Sequence, residues 1–134
     1  MARHATRFAV RALAALCLAA VAGCTAPAPL PRSPERGSGA FVFRYRAPAA
    51  RVVQLAGSWQ GNTFLRGREW SRDTRTGLMQ DDDRDGVWEI EVRLGPGRYE
   101  YAFLVDGTFW EADPANAERI PDGRGGTRSL LVVP

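Results

Sequence analysis

The sequence predicts an all-β protein, an antiparallel β-sandwich, on three observations. From residue 40 onward, apolar residues recur at every second position, as expected for strands with one buried and one solvated face. Turn residues separate these runs, most clearly in Gly95-Pro96-Gly97 and Asp106-Gly107. No segment after residue 23 has the 3.6-residue apolar period of a helix. Two sheets of short strands that share one core satisfy this pattern.

Five segments carry the alternation. The clearest is 87–94, where Trp88 and Ile90 alternate with Glu89 and Glu91. After the Gly-Pro-Gly turn, the next strand repeats the pattern with tyrosine and phenylalanine on the apolar face. It leads through an Asp-Gly turn into two further aromatic residues. The predicted strands are 41–46, 52–57, 87–94, 98–105 and 130–133.

The amino terminus predicts a lipoprotein signal peptide over residues 1–23. Three arginines precede an unbroken apolar run, 12–22, which is too short for a membrane-spanning helix of about 20 residues. Residues 21–24, Val-Ala-Gly-Cys, resemble a bacterial lipobox, which implies that Cys24 becomes the lipidated residue, carrying acyl chains such as palmitate. Thr25 is not the aspartate that retains lipoproteins at the inner membrane, so we expect a cell-envelope protein at the outer membrane. An ordinary signal peptide or an uncleaved anchor is the alternative.

Composition divides the rest of the chain in two. Residues 24–39 contain four prolines and one large apolar residue, which predicts a disordered linker with polyproline II character. Fifteen such residues would hold a domain roughly 45 Å from its anchor. Residues 40–134 are then a single folded domain, and its stability must come from its core because no cysteine follows Cys24.

Charge and residue types exclude several functions. Three of the 18 basic residues lie in the signal peptide, and the remainder equal the 15 acidic residues in number, so no nucleic-acid partner is expected. The only histidine, His4, also lies there, which removes His-dependent triads and histidine-ligated zinc. Two carboxylates would suffice for a glycosidase, but a lone small sandwich has few ways to enclose a cleft. We therefore expect a non-catalytic protein without a cofactor or a metal.

One acidic motif resembles part of a calcium site. Asp81, Asp83, Asp85 and Gly86 reproduce the opening of an EF-hand loop. Position twelve of that frame is Val92 instead of glutamate, and the flanks predict strand and loop. A solvated turn is the preferred interpretation, and calcium is the alternative.

Four segments together resemble a known family. They are VVQLAGSWQGN, the hairpin DGVWEIEVRLGPGRYEYAFLVDG, the DPAN loop and the closing GGTRSLLVV, in this order. The order is similar to that of the early-set, immunoglobulin-like glycogen-binding domains of carbohydrate-binding module family 48, over nearly all of residues 40–133. The resemblance implies an immunoglobulin-like sandwich that binds α-glucan.

The resemblance also implies the binding positions. The family places a sugar-stacking tryptophan after the Asp-Gly turn, where this chain has Phe109 and Trp110. At the position of a second family tryptophan this chain has Asn62, and at the position of a family lysine it has Ala102. The family also has an asparagine near the end of the domain, and the corresponding region of this chain contains Arg128 and Ser129. A glucose ring packs its C–H face on an aromatic plane and exchanges water for polar partners at its hydroxyls. The predicted carbohydrate-binding residues are Trp110, Phe109, Trp59, Phe64, Asn62, Arg128 and Ser129.

Two functions therefore fit the sequence. The first is a lipoprotein that binds α-glucan or a related polysaccharide. The second is a protein-interaction or scaffold module of the same fold that has lost sugar binding, with an envelope protein as its partner. An exposed apolar patch around Trp59 and Trp70 would serve the second function.

Overall fold

Antiparallel strands form the regular structure of the protein. The computed structural model describes residues 28–30, 32–62 and 76–134. These ranges contain strands and no helix, which confirms the all-β prediction, and none of their segments is a helix long and apolar enough to cross a membrane. The strands are β1 (Glu35–Arg36), β2 (Phe41–Arg46), β3 (Val53–Gly57), β4 (Val87–Val92), β5 (Gly97–Val105), β6 (Phe109–Glu111), β7 (Arg119–Pro121) and β8 (Thr127–Val133).

The strands form two sheets. The smaller sheet has the order β1-β2-β4, and the larger sheet has the order β3-β5-β8-β7. Strand β8 pairs with the first half of β5, and the short strand β6 pairs with its last three residues. Every ladder is antiparallel, which confirms the predicted sandwich.

The core lies between the inner faces of the two sheets. Phe43 of the smaller sheet and Leu55, Tyr101 and Phe103 of the larger sheet are fully buried there. The rings of Phe43 and Tyr101 meet edge to face with their centroids 5.0 Å apart, a favoured aromatic geometry. The predicted alternation therefore places the correct residues inside.

The segment 77–80 closes one seam of the sandwich. It runs between the edge strand β3 of the larger sheet and the edge strand β4 of the smaller sheet. Met79, in its middle, is buried in the core. Backbone hydrogen bonds run from Leu55 N to Gly77 O, from Met79 N to Val53 O and from Gln80 N to Glu89 O, at 2.7–2.9 Å.

The ordered body begins before the predicted boundary at residue 40. Strand β1 pairs with β2, and Arg44 of β2 forms an ion pair with Glu35 at 2.7 Å and another with Glu89. Ser33 is buried, and its hydroxyl donates to Asp113 at 2.7 Å. Residues 33–36 therefore belong to the sandwich, contrary to the prediction of a disordered linker up to residue 39.

Candidate functional site

The two aromatic residues after the Asp-Gly turn lie in β6 and do not share a surface. Trp110 is opposite Leu104 and Phe109 is opposite Val105. Successive residues of a strand point to opposite faces of the sheet, so the two rings cannot support the same sugar. Trp110 is 38% exposed and Phe109 is 62% exposed. The predicted pair of rings thus becomes two separate candidates.

Trp110 belongs to the face of the larger sheet that points away from the core, which we call the outer face. Its cross-strand partner Leu104 packs there against Ala56 in a small apolar cluster. Ala102 is also buried on this face. An alanine thus lies at the position for which the family resemblance implies a lysine. The outer face comprises Gln54, Ala56, Arg98, Glu100, Ala102, Leu104, Trp110, Ile120, Arg128, Leu130 and Val132.

An ion pair lies on the outer face. Arg128 Nη1 donates to Glu100 Oε2 at 2.9 Å. The Arg128 side chain is 25% exposed and that of Glu100 is 41% exposed, so both reach solvent. The sequence predicted Arg128 as a polar partner but did not identify Glu100. The strand alternation predicts a solvated face for Glu100 but does not indicate its partner.

Asn62 has a structural position. Its side chain is buried, and its amide oxygen accepts a hydrogen bond from Gly57 N at 3.1 Å. Its amide nitrogen donates to Leu55 O at 2.7 Å. Both ends of the amide therefore satisfy backbone groups where β3 runs into its turn. This leaves Asn62 unsuited to the predicted sugar contact.

Ser129 also lies inside the protein. Its hydroxyl is fully buried and accepts a hydrogen bond from Asp113 N at 2.7 Å. Asp113 in turn accepts hydrogen bonds from Ser33 and from Tyr101 at 2.8 Å, and Asn116 donates to the Tyr101 hydroxyl. The predicted sugar contact of Ser129 is therefore replaced by a role in a buried polar cluster.

Burial governs the ionisation of this cluster. It raises the pKa of the Asp113 carboxyl, and the hydrogen bonds from Ser33 and Tyr101 oppose that shift. Burial also raises the pKa of the Tyr101 hydroxyl far above its ordinary value, and the charge of Asp113 adds to the effect. The Tyr101 hydroxyl is thus held in its neutral, donating form beside Asp113.

Trp59 packs at the rim of the core. A Cβ atom on Gly57 would lie 2.0 Å from the Trp59 ring, which shows how closely the ring covers that glycine. The ring also lies 5.9 Å from Phe43 and 6.2 Å from Tyr99, centroid to centroid. Only part of the ring remains for a ligand. Phe64, Trp70 and Cys24, the residue predicted to be lipidated, lie outside the described residues.

The acidic turn brings three carboxylates together. One oxygen from each of Asp81, Asp83 and Asp85 lies within 4.8 Å of the others. Asp83 accepts from Asp85 N, Asp85 accepts from Val87 N, and Asp81 accepts from Gly86 N. These hydrogen bonds brace a solvated turn, which is the preferred interpretation. Calcium stays the alternative, because hard cations take carboxylate ligands.

The chain is similar to segments of known proteins. No family model matches it. It is 35% identical to Protein FLOURY ENDOSPERM 6, chloroplastic, of Oryza sativa subsp. japonica over 86 residues, which is 64% of this chain and 13% of that protein. It is 31% identical to Protein PTST homolog 2, chloroplastic, of Arabidopsis thaliana over 85 residues, which is 63% of this chain and 13% of that protein. Both plant proteins are thus several times longer than this chain.

A comparison of folds finds a maltogenic amylase from S. marinus. The alignment has a TM-score of 0.45 and 17% sequence identity, and it covers 72% of this chain and 14% of the amylase chain. The two chloroplast proteins have a higher sequence identity to this chain than the amylase has.

Proposed function

We propose that this protein is a non-catalytic lipoprotein that binds α-glucan or a related polysaccharide on the outer face. The observation that carries the proposal is Trp110, an aromatic side chain partly exposed on a sheet face outside the core. An aromatic plane of this kind packs against the C–H face of a pyranose ring. Arg128 and Glu100 supply hydrogen-bonding groups on the same face.

Similar proteins and the family resemblance support the same ligand class. The rice relative is named for a floury endosperm, and both plant relatives are named as chloroplast proteins. The segment order from VVQLAGSWQGN to GGTRSLLVV resembles glycogen-binding domains, and the observed antiparallel sandwich is the architecture which that resemblance implies. Glucan binding is therefore favoured over other ligands, and the proposal involves no catalysis, cofactor or nucleic acid.

The proposed lipid on Cys24 places this domain at the cell envelope. A signal-peptide pattern followed by a lipobox-like sequence supports an anchor, and Thr25 supports the outer membrane. A glucan that such a domain meets comes from the periplasm, a capsule or the surroundings, because cytoplasmic glycogen is not accessible to an exported protein.

Calorimetric titration of the full chain in detergent with maltoheptaose tests the proposal. We expect Trp110→Ala to weaken binding about tenfold or more, because losing an aromatic stacking contact costs about 1.4 kcal/mol. Phe109→Ala is the matched control, since Phe109 is more exposed but points to the opposite face. Its affinity should stay within about twofold of wild type.

Two outcomes contradict the proposal. One is a folded wild-type protein that does not bind maltooligosaccharides at millimolar concentration. The other is equal loss of affinity in the Trp110 and Phe109 variants. The first outcome favours the second candidate, a protein-interaction module of the same fold, for which the observation is the exposed apolar side chains of Phe109 and Val132.

A further inference from the structure

Glu100 occupies a defined place on the outer face. It shares the face of β5 with Ala102 and Leu104, and Leu104 is the direct partner of Trp110. Four residue steps separate Glu100 from Leu104, which is about 13 Å along a strand. Arg98 is two residues further from Trp110 on the same face. A chain lying on Trp110 and extending along β5 therefore reaches Glu100 before Arg98.

The Glu100–Arg128 pair has complementary hydrogen-bonding groups. An ionised carboxylate only accepts hydrogen bonds, and a guanidinium only donates them. A sugar hydroxyl does both, so two neighbouring hydroxyls of one ring can donate to Glu100 and accept from Arg128. The two charged atoms are 2.9 Å apart, which lets a single ring address both.

A negatively charged sugar has no such match. A uronate carboxylate cannot donate to Glu100, and it would compete with Glu100 for Arg128. Like charges brought together at an interface cost several kcal/mol. Because Glu100 already binds the Arg128 guanidinium, an anion that approached Arg128 would lie beside the carboxylate of Glu100.

We propose that Glu100 is a specificity-determining residue that restricts the outer face to uncharged glycans. The proposal rests on the proposed function, because it concerns the same face and the same ligand chain. Glu100 acts in two ways: its carboxylate accepts from a neutral hydroxyl, and its charge excludes carboxylated or sulfated sugars. Its side-chain partner in the described part of the chain is Arg128.

The test compares two ligands that differ only in charge. One is maltoheptaose, and the other is maltoheptaose with its C6 groups oxidised to carboxylates. Calorimetry on the full chain in detergent should show the oxidised chain binding wild type at least about tenfold more weakly. Glu100→Gln should reduce that preference to about threefold or less, because the variant lacks the charge that repels the oxidised chain.

Glu91→Gln is the matched control. Glu91 is exposed on β4 opposite Val42, on the smaller sheet, and the substitution removes the same charge. The control should keep the wild-type preference. A preference that Glu100→Gln leaves unchanged, or that both variants reduce equally, overturns the role of Glu100 while glucan binding stands. A wild-type protein that binds neither ligand overturns the proposed function and this inference together.

Discussion

At the scale of single residues, Asp113 shows how one buried carboxylate organises distant parts of the chain. It is fully buried and accepts from Ser33, from Tyr101 and, at 2.8 Å, from Ala115 N. Arg119 donates to its backbone carbonyl. These partners are neutral apart from Arg119, so they offset the desolvation of the charge only in part.

The pH dependence of stability should reveal this imbalance. Burial raises the pKa of Asp113 above the unfolded value of 3.8, so the folded state binds its proton more tightly than the unfolded state does. The contribution of Asp113 to the free energy of unfolding is then largest below pH 3.8 and falls as the pH rises through the folded pKa. Urea unfolding from pH 3 to 7 should show the stability difference, wild type minus Asp113→Asn, falling with increasing pH.

Asp122 provides a control of opposite sign. Backbone hydrogen bonds from Arg124 and Gly126 lower the pKa of this exposed carboxyl. Its contribution is therefore present above the unfolded pKa and is lost as the pH falls. The difference, wild type minus Asp122→Asn, should not fall with increasing pH. A flat Asp113 difference over the whole range would contradict the account given for that residue.

Residue roles at the site were only partly predictable from the sequence. Trp110 and Arg128 could be selected because the family resemblance implies binding residues at or near these positions. Asn62 and Ser129 looked equally suitable, but they satisfy backbone groups of Gly57 and Asp113. Such contacts depend on the tertiary fold, since 16 residues separate Ser129 from Asp113. Buried structural polar residues and exposed binding residues have the same appearance in a single sequence.

At the scale of elements, strand length decided what the sequence could predict. The six residues of β2 match the predicted strand, and the predicted hairpin of β4 and β5 is present with ends shifted by one or two residues. Strands β1, β6 and β7 have two or three residues, too few to display a period of two. The separation of Phe109 from Trp110 follows from β6, so the missed strand also explains the error at the site.

The stabilising role of β1 leads to a prediction on truncation. A chain that starts at Arg32 keeps Ser33 and β1, whereas one that starts at Ala40 loses both. The shorter chain leaves Asp113 without the Ser33 donor and Arg44 without Glu35. Urea unfolding should give a free energy of unfolding at least about 2 kcal/mol lower for the shorter chain, because a buried charged group has lost a partner.

Ser33→Ala in the longer chain isolates the hydrogen bond. It should account for part of the loss, and the pairing of β1 with β2 should account for the rest. If the two chains unfold at the same urea concentration, residues 33–39 do not contribute to the folded body. In that case the predicted boundary at residue 40 would be the correct one.

At the scale of the whole molecule, the contacts of residues 28–30 bear on how the domain would be anchored. Arg46 donates to Ala28 O at 3.2 Å, and residues 28–30 line a cavity of about 870 Å³ on the smaller sheet with Arg44 and Glu89. A lipid on Cys24 would be four residues from Ala28, and an extended chain of four residues spans at most about 14 Å. The anchor would therefore lie near the smaller sheet, far closer than the roughly 45 Å of a free polyproline linker.

Acylation of Cys24 is the remaining prediction, and the chain contains its own control. Cells expressing the full chain with labelled palmitate should yield a labelled protein in the outer-membrane fraction. Cys24→Ala should lose the label and the membrane association, because no other cysteine follows residue 24. Cys17→Ala should keep both, since Cys17 lies in the apolar run that would be removed with the proposed signal peptide. Label retained by Cys24→Ala, or a soluble wild-type protein, would contradict the anchor and leave the sandwich to meet its glycan in solution.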